Sequence, residues 1–322
     1  MPPSTSTPER ILQRLDWQVI RRLDGILQGD YRSLFYGFGL DLADLREYQP
    51  GDDIRYIDWN VTARVNTPYV RQYVEDRDIT AWFLLDLSPS VDFGTVNSLK
   101  RDCLVQFVTV MARLLTRHGN RVGAMIYGSR VERIIPARGG RLQVLRLIND
   151  LLKQPHLKRS PVTDLNALLA TAFNSIKRRS LIFVVSDFIS SPGWERPLGL
   201  LSQRHEVLAV RLWDPREIEL PDIGMVIMED AETGEQLFVD THEKKFRVQF
   251  TAAAERRQAA LDSAFRQASV DVLPLSTEDD LVRAIVNFAV RRKQRKQISS
   301  VKLAGNVSRN AIVGARMPDL KR

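Results

Sequence analysis

Residues 79–94 read ITAWFLLDLSPSVDFG, an apolar run of strand length that ends on Asp86 and continues through Ser88 and Ser90. The residues before Asp86 are apolar on both alternations, so such a strand is buried on both faces. That is the mark of a parallel sheet covered by helices on either side. In a sheet of this kind, ligands gather outside the carboxyl ends of the strands. Side-chain alternation places Asp86, Ser88 and Ser90 on one side, so one carboxylate and two hydroxyls converge.

The texture of residues 79–290 repeats this unit. The apolar bursts NRVGAMIYG, SLIFVVSDF, HEVLAVRLW and VDVLPL alternate with helical stretches at 96–118, 140–153, 163–177, 194–203, 242–268 and 278–293. Strand and helix in alternation predict an α/β domain with a doubly wound, mainly parallel sheet of Rossmann type. Residues 224–241, GMVIMEDAETGEQLFVDT, depart from the pattern and read as an appended β-hairpin turning around Glu232-Thr233-Gly234. Ahead of the domain, Ile11, Leu12, Leu15, Val19, Leu23 and Ile26 recur at helical spacing, so residues 8–28 form an amphipathic helix. An arm rich in Arg, Asp and aromatics follows. The expected organisation is therefore helix and arm over 1–78, the α/β domain over 79–290, and a basic tail over 291–322.

Composition narrows the functional classes. The net charge of +8 is misleading until it is located: residues 291–322 carry a net +9, and the rest of the chain sums to −1. A basic tail on a balanced body argues against a nucleic-acid-binding fold. No apolar run reaches the ~20 residues of a membrane helix, so no membrane span is expected. The opening MPPSTSTPER has no signal-peptide pattern, and the one cysteine, Cys103, fits a reducing compartment. A cytoplasmic location is the expectation.

Two more segments supply oxygen donors. SPVTDLNALL puts Thr163 in the loop before a helix, and FVVSDFIS puts Asp187 at the end of another buried strand. Three hydroxyls and two carboxylates, with no histidine or thiol nearby, suit a hard cation such as Mg²⁺ or Mn²⁺. A divalent ion so held remains electrophilic and seeks a further anionic oxygen.

The pattern D-x-S-x-S, then a Thr, then an Asp after a strand resembles the metal-ion-dependent adhesion site of von Willebrand factor A-type domains. Asp86, Ser88 and Ser90 match its first loop, Thr163 its second and Asp187 its third. The segment LREYQPGDDIRYIDWNVTAR, followed by DLSPSVDFG, Lys100 and NRVGAMIYG, and later DPREIELPDIGMVIMEDAETGEQLFVDT, resembles the bacterial family called domain of unknown function 58. That resemblance implies a partner, a MoxR-type AAA+ ATPase or its client, and an adaptor or chaperone-like role without catalysis. The family's small residues before the second-loop Thr are Ser160-Pro161-Val162 here, so that loop is expected to sit differently.

Other candidates have plainer readings. Asp52, Asp53 and Asp58 lie in a turn rich in Pro and Gly, where carboxylates cap backbone N–H groups and pair with Arg46, Arg55, Arg64 and Arg71. Tyr48, Tyr56, Trp59 and Arg64 are residue types enriched at interfaces and form a candidate partner surface. There is no P-loop and no nucleophile elbow. Two alternatives remain: an Mg²⁺-dependent hydrolase or phosphotransferase at the same rim, and nucleic-acid association through the tail.

Overall fold

The computed structural model describes residues 7–23, 44–49, 52, 54, 57–65, 67–72, 79–95, 98–157 and 162–292. The chain opens with helix α1 (Pro8–Leu15), which starts on a proline suited to the first helical turn. It runs on through a π-turn at Asp16–Ile20. Strand β1 (Asp44–Glu47) pairs antiparallel with β2 (Tyr69–Gln72), and the short helix α2 (Trp59–Val65) lies between them in sequence.

The body is built from β3 (Thr80–Asp86), α3 (Lys100–Arg117), β4 (Arg121–Tyr127), β5 (Val131–Arg138), α4 (Arg141–Leu152), α5 (Leu165–Ser175) and β6 (Leu181–Ser186). It continues with α6 (Glu195–Arg204), β7 (Glu206–Trp213), the hairpin β8 (Met225–Glu229) and β9 (Gln236–Asp240), α7 (Lys244–Gln267), β10 (Asp271–Ser276) and a helix α8 over 281–292. The main sheet runs in the order β10-β7-β6-β3-β4-β5, parallel except for the β4–β5 pair. The order reverses between β3 and β6, and there the doubly wound arrangement opens a crevice at the strands' carboxyl ends.

The expected α/β class, hairpin and helix positions match this architecture, with helix ends moved by a few residues. Strand β5 was not among the expected strands. Its sequence, VERIIPAR, carries three charges and a proline, and its burial is largely exposed. An antiparallel edge strand is free to look polar, since only one side of it is paired and one face covered.

Alternation sorts the apolar side chains into two cores. Ala81, Phe83, Leu85, Leu181, Phe183 and Val185 face α3, α4 and α8, while Leu84, Ile182 and Val184 face α5, α6 and α7. Phe83 stacks on Phe183 at 5.0 Å, and Phe107 of α3 meets the same ring edge-on at 5.8 Å. Ile11, Leu12 and Leu15 of α1, with Ile20 and Leu23, join the first core. Helix α3 therefore lies between the sheet and the N-terminal helix, which explains why so much of its circumference is apolar.

Candidate metal-binding rim

Five sequence positions were expected at one rim. Asp86 is the last residue of β3 and fully buried. Its Oδ1 accepts from the Ser88 N–H at 3.0 Å, and its Oδ2 accepts from the Ser186 hydroxyl at 2.6 Å. Ser88 and Ser90 lie 3.1 Å apart, hydroxyl to hydroxyl. Their convergence does not come from strand alternation, which was the expectation. Pro89 opens a 3₁₀ turn over Pro89–Asp92, and the turn folds Ser90 back onto Ser88. Proline at the first position of such a turn loses no hydrogen bond and presets its φ.

The turn is held from outside. Arg101, almost fully buried, bonds Asp92 Oδ1 at 3.2 Å and the Gln154 carbonyl at 2.6 Å, and His156 approaches Asp92 Oδ2 at 3.0 Å. Gly94 is required just beyond: an added Cβ would fall 2.2 Å from the Ser98 carbonyl oxygen.

Asp187 follows β6. Its Oδ1 accepts from the Ile189 N–H at 3.0 Å, and its Oδ2 receives the Lys100 ammonium at 2.7 Å. The next residue, Phe188, has a φ of 60°, a left-handed conformation uncommon for a bulky side chain. Two anchors hold it there. Its N–H donates to the Ser186 hydroxyl at 2.9 Å, and its ring packs 5.3 Å from Trp194 and 4.9 Å from Phe265. The left-handed residue redirects the backbone directly after the candidate ligand.

Thr163 is buried in the loop before α5. Its carbonyl accepts from the Ser190 hydroxyl and the Ser191 N–H, both at 2.9 Å, which ties the second loop to the third. The Asp164 N–H donates to the Tyr127 hydroxyl at 2.9 Å and so fixes the same loop to β4.

Lys100 and Ser186 were not among the expected site residues. Lys100 is 1% exposed and bridges Asp187 and Glu217 at 2.7 and 2.6 Å. Burial pulls its pKa down, but the charges of Asp187 and Glu217 outweigh that and hold it above the ordinary lysine value. A lysine at the first turn of α3 opposes the helix dipole, and that local conflict is the sequence signal for it. Ser186 serves Asp86 and Phe188 at once, yet in sequence it is only the last residue of a buried strand.

The electrostatics favour a cation. Burial, and then the charge of Asp187, push the Asp86 carboxyl up to about 6, although three hydrogen-bonding contacts from Ser186 and Ser88 oppose the shift. A carboxylate that burial makes costly to keep ionised sits beside two serine hydroxyls, which are hard oxygen donors. The Asp, Ser and Thr side chains at the rim thus fit Mg²⁺ or Mn²⁺. Among the described residues no three His, Cys, Asp or Glu side chains form a metal cluster, so the hydroxyls would have to complete the ligand set. When bound, the ion would supply an electrophilic centre able to take an anionic oxygen. A cleft of about 550 Å³ between β10 and α8, lined by Asp271, Glu278 and Arg283 among others, contains none of these ligands.

The remaining expected residues have simpler roles. Asp52 accepts from the Gln49 N–H at 2.8 Å, and Asp58 from the Val61 N–H at 3.2 Å, so both cap backbone as expected. Trp59 is 69% exposed, Tyr48 is half-buried and Arg64 exposed. Tyr56, Asp53 and Arg55 lie outside the described residues, as do the side chains of Arg46 and Arg71 and residues 293–322 of the tail. Cys103 lies buried within α3. No helix among the described residues is long and apolar enough to cross a membrane.

A doubly wound α/β sheet with an acidic, hydroxyl-rich rim at its switch point defines the class. The family described as "Protein of unknown function DUF58" matches residues 44–260, and the chain belongs to it. An uncharacterized protein of Mycobacterium tuberculosis (strain ATCC 25618 / H37Rv) is 36% identical over 285 residues, which are 88% of this chain and 89% of that one. Among solved structures, an aerotolerance-related membrane protein from Bacteroides fragilis shares 12% identity with a TM-score of 0.42, covering 66% of this chain and 99% of that one. A von Willebrand factor type A protein from Catenulispora acidiphila shares 9% identity with a TM-score of 0.33, covering 67% of this chain and 42% of that one. These likenesses are distant and say nothing about chemistry.

Proposed function

We propose that this chain is a protein-interaction module whose rim holds Mg²⁺ or Mn²⁺ through Asp86, Ser88, Ser90, Thr163 and Asp187. The observation that carries the reading is the buried, charge-strained Asp86 beside the paired Ser88 and Ser90 hydroxyls. A cation relieves that strain, and the anionic oxygen it still seeks comes from an acidic side chain of a protein partner. The family resemblance supplies the partner class, a MoxR-type AAA+ ATPase or its client, and the sequence pattern gives the cytoplasm as the expected location.

Binding rather than turnover is favoured by how the carboxylates are used. Asp86 is held by Ser88 and Ser186, and Asp187 by Ile189 and Lys100, so neither is left as a general base facing the crevice. A phosphoester turnover screen distinguishes the hydrolase alternative, since the interaction reading predicts none.

The test is capture from lysate with wild type and Asp86→Ala, in Mg²⁺ and in EDTA. An AAA+ ATPase retained only by wild type in Mg²⁺ is the expected result. Equal capture under all conditions overturns the rim as the contact and moves it to the arm, where Tyr48, Tyr56, Trp59 and Arg64 are the surface to substitute.

A further inference from the structure

The hairpin β8–β9 has no place in the main sheet, yet its tip reaches the rim. Asp230 builds the turn: its Oδ1 accepts from the N–H groups of Glu232 at 3.0 Å and Thr233 at 2.7 Å. Gly234, at a φ of 72°, closes it in a conformation glycine adopts at little cost. The turn aims Glu232 at Thr163. The Thr163 hydroxyl donates to Glu232 Oε1 at 2.5 Å, and the Thr163 N–H is shared by Oε1 and Oε2, each at 3.1 Å. One carboxylate thus docks on one candidate ligand through both its hydroxyl and its backbone.

The chemistry of that contact is specific. A hydroxyl ligates a cation through a lone pair, so its proton has to point elsewhere, and Glu232 is the acceptor that takes it. Each Glu232 oxygen also keeps acceptor capacity beyond these bonds. Asp187 is already paired with the Lys100 ammonium at 2.7 Å, so the rim offers a divalent ion little more than the one uncompensated charge of Asp86, and Glu232 brings a further acid to Thr163 at its edge. The same place is where an incoming acidic side chain would have to arrive.

We propose that Glu232 is the rim's internal acidic ligand: it supplies from the chain's own hairpin the anionic oxygen a partner's Asp or Glu would bring. The inference rests on the reading of the rim as a metal site. A partner presenting an exposed acid then binds by displacing the hairpin tip, and the hairpin acts as a latch that keeps the rim from weak acidic competitors. Charge count is a main control on how tightly oxygen ligands hold a divalent ion, so loss of this carboxylate weakens the ion.

The test uses the full chain, Mn²⁺ as the metal probe and acetate as the free acid. Wild type, Glu232→Ala and Glu232→Gln are titrated calorimetrically with Mn²⁺, with and without excess acetate, and amide exchange is followed over residues 225–240. Wild type is expected to bind one Mn²⁺ with no response to acetate. Glu232→Ala is expected to bind about tenfold more weakly, to regain affinity in acetate, and to exchange faster along the hairpin. Glu232→Gln keeps an acceptor for Thr163, so its hairpin stays protected while its Mn²⁺ affinity falls. Wild-type Mn²⁺ affinity in both variants, unmoved by acetate, overturns the proposal and leaves the metal reading standing. No Mn²⁺ binding by wild type, with faster hairpin exchange in Glu232→Ala, overturns both and reduces Glu232 to a structural tether.

Discussion

Replacing Asp86 by Asn should stabilise the metal-free protein at neutral pH. Burial, and then the charge of Asp187, raise the Asp86 carboxyl to about 6 from the ordinary aspartate value of 3.8. At 1.36 kcal/mol for each pKa unit, keeping it ionised in the fold costs about 3 kcal/mol. The sign follows from linkage: between pH ~4 and ~6 the folded chain binds the proton more tightly than the unfolded chain, so stability falls as pH rises through that window. Asn keeps the shape and can still accept from the Ser88 N–H. Its amide would donate to the Ser186 hydroxyl, whose proton then loses its acceptor at about 1 kcal/mol. The net gain is about 2 kcal/mol above pH ~6.5. It fades to nothing, or to a small deficit, below pH ~4. Urea unfolding of both proteins in EDTA across pH 4–8 measures it, because the difference between the curves removes the titrating groups that do not interact with Asp86. With Mg²⁺ added, wild type should recover the lost stability and Asp86→Asn should not respond. A difference curve flat in pH would refute the account of Asp86 as a strained, cation-seeking carboxylate.

Three further outcomes are expected. Lys100→Met leaves Asp187 and Glu217 without their buried cation and should cost about 3–5 kcal/mol in denaturant unfolding at pH 7.5. Ser186→Ala removes the partner of both Asp86 Oδ2 and the Phe188 N–H; a loss of about 1–3 kcal/mol in the same assay is expected, with metal affinity falling alongside. Asp214 is desolvated, yet bonds from Thr277, Thr95 and Arg216 hold its carboxyl below the usual range. Its stabilisation is present above pH ~4 and lost as pH falls through the folded pKa, so Asp214→Asn should destabilise at pH 7 by about 1–3 kcal/mol and converge with wild type in acid.

Much of this architecture was legible because the central strands are buried on both faces. An apolar run such as Leu181–Val185 has few other readings, and the acid that ends it marks the rim. What stayed hidden depends on tertiary partners. Strand β5 is polar because it is an edge. Ser90 reaches Ser88 through a 3₁₀ turn that Pro89 permits but does not announce. Ser186 looks like strand filler, and its two bonds exist only because β6 lies beside β3. Glu232 reads as one residue of a hairpin turn, and nothing local shows that the hairpin folds over Thr163. Pairings across 69 or 100 residues of chain are set by the fold, and periodicity carries no record of them.

The decisive experiment on the rim is a calorimetric titration of wild type and Asp86→Ala with Mn²⁺ at pH 7.5. The rim described here predicts one bound ion per chain for wild type and none for Asp86→Ala, with both proteins folded. Equal binding by the two, or none by wild type, would contradict it.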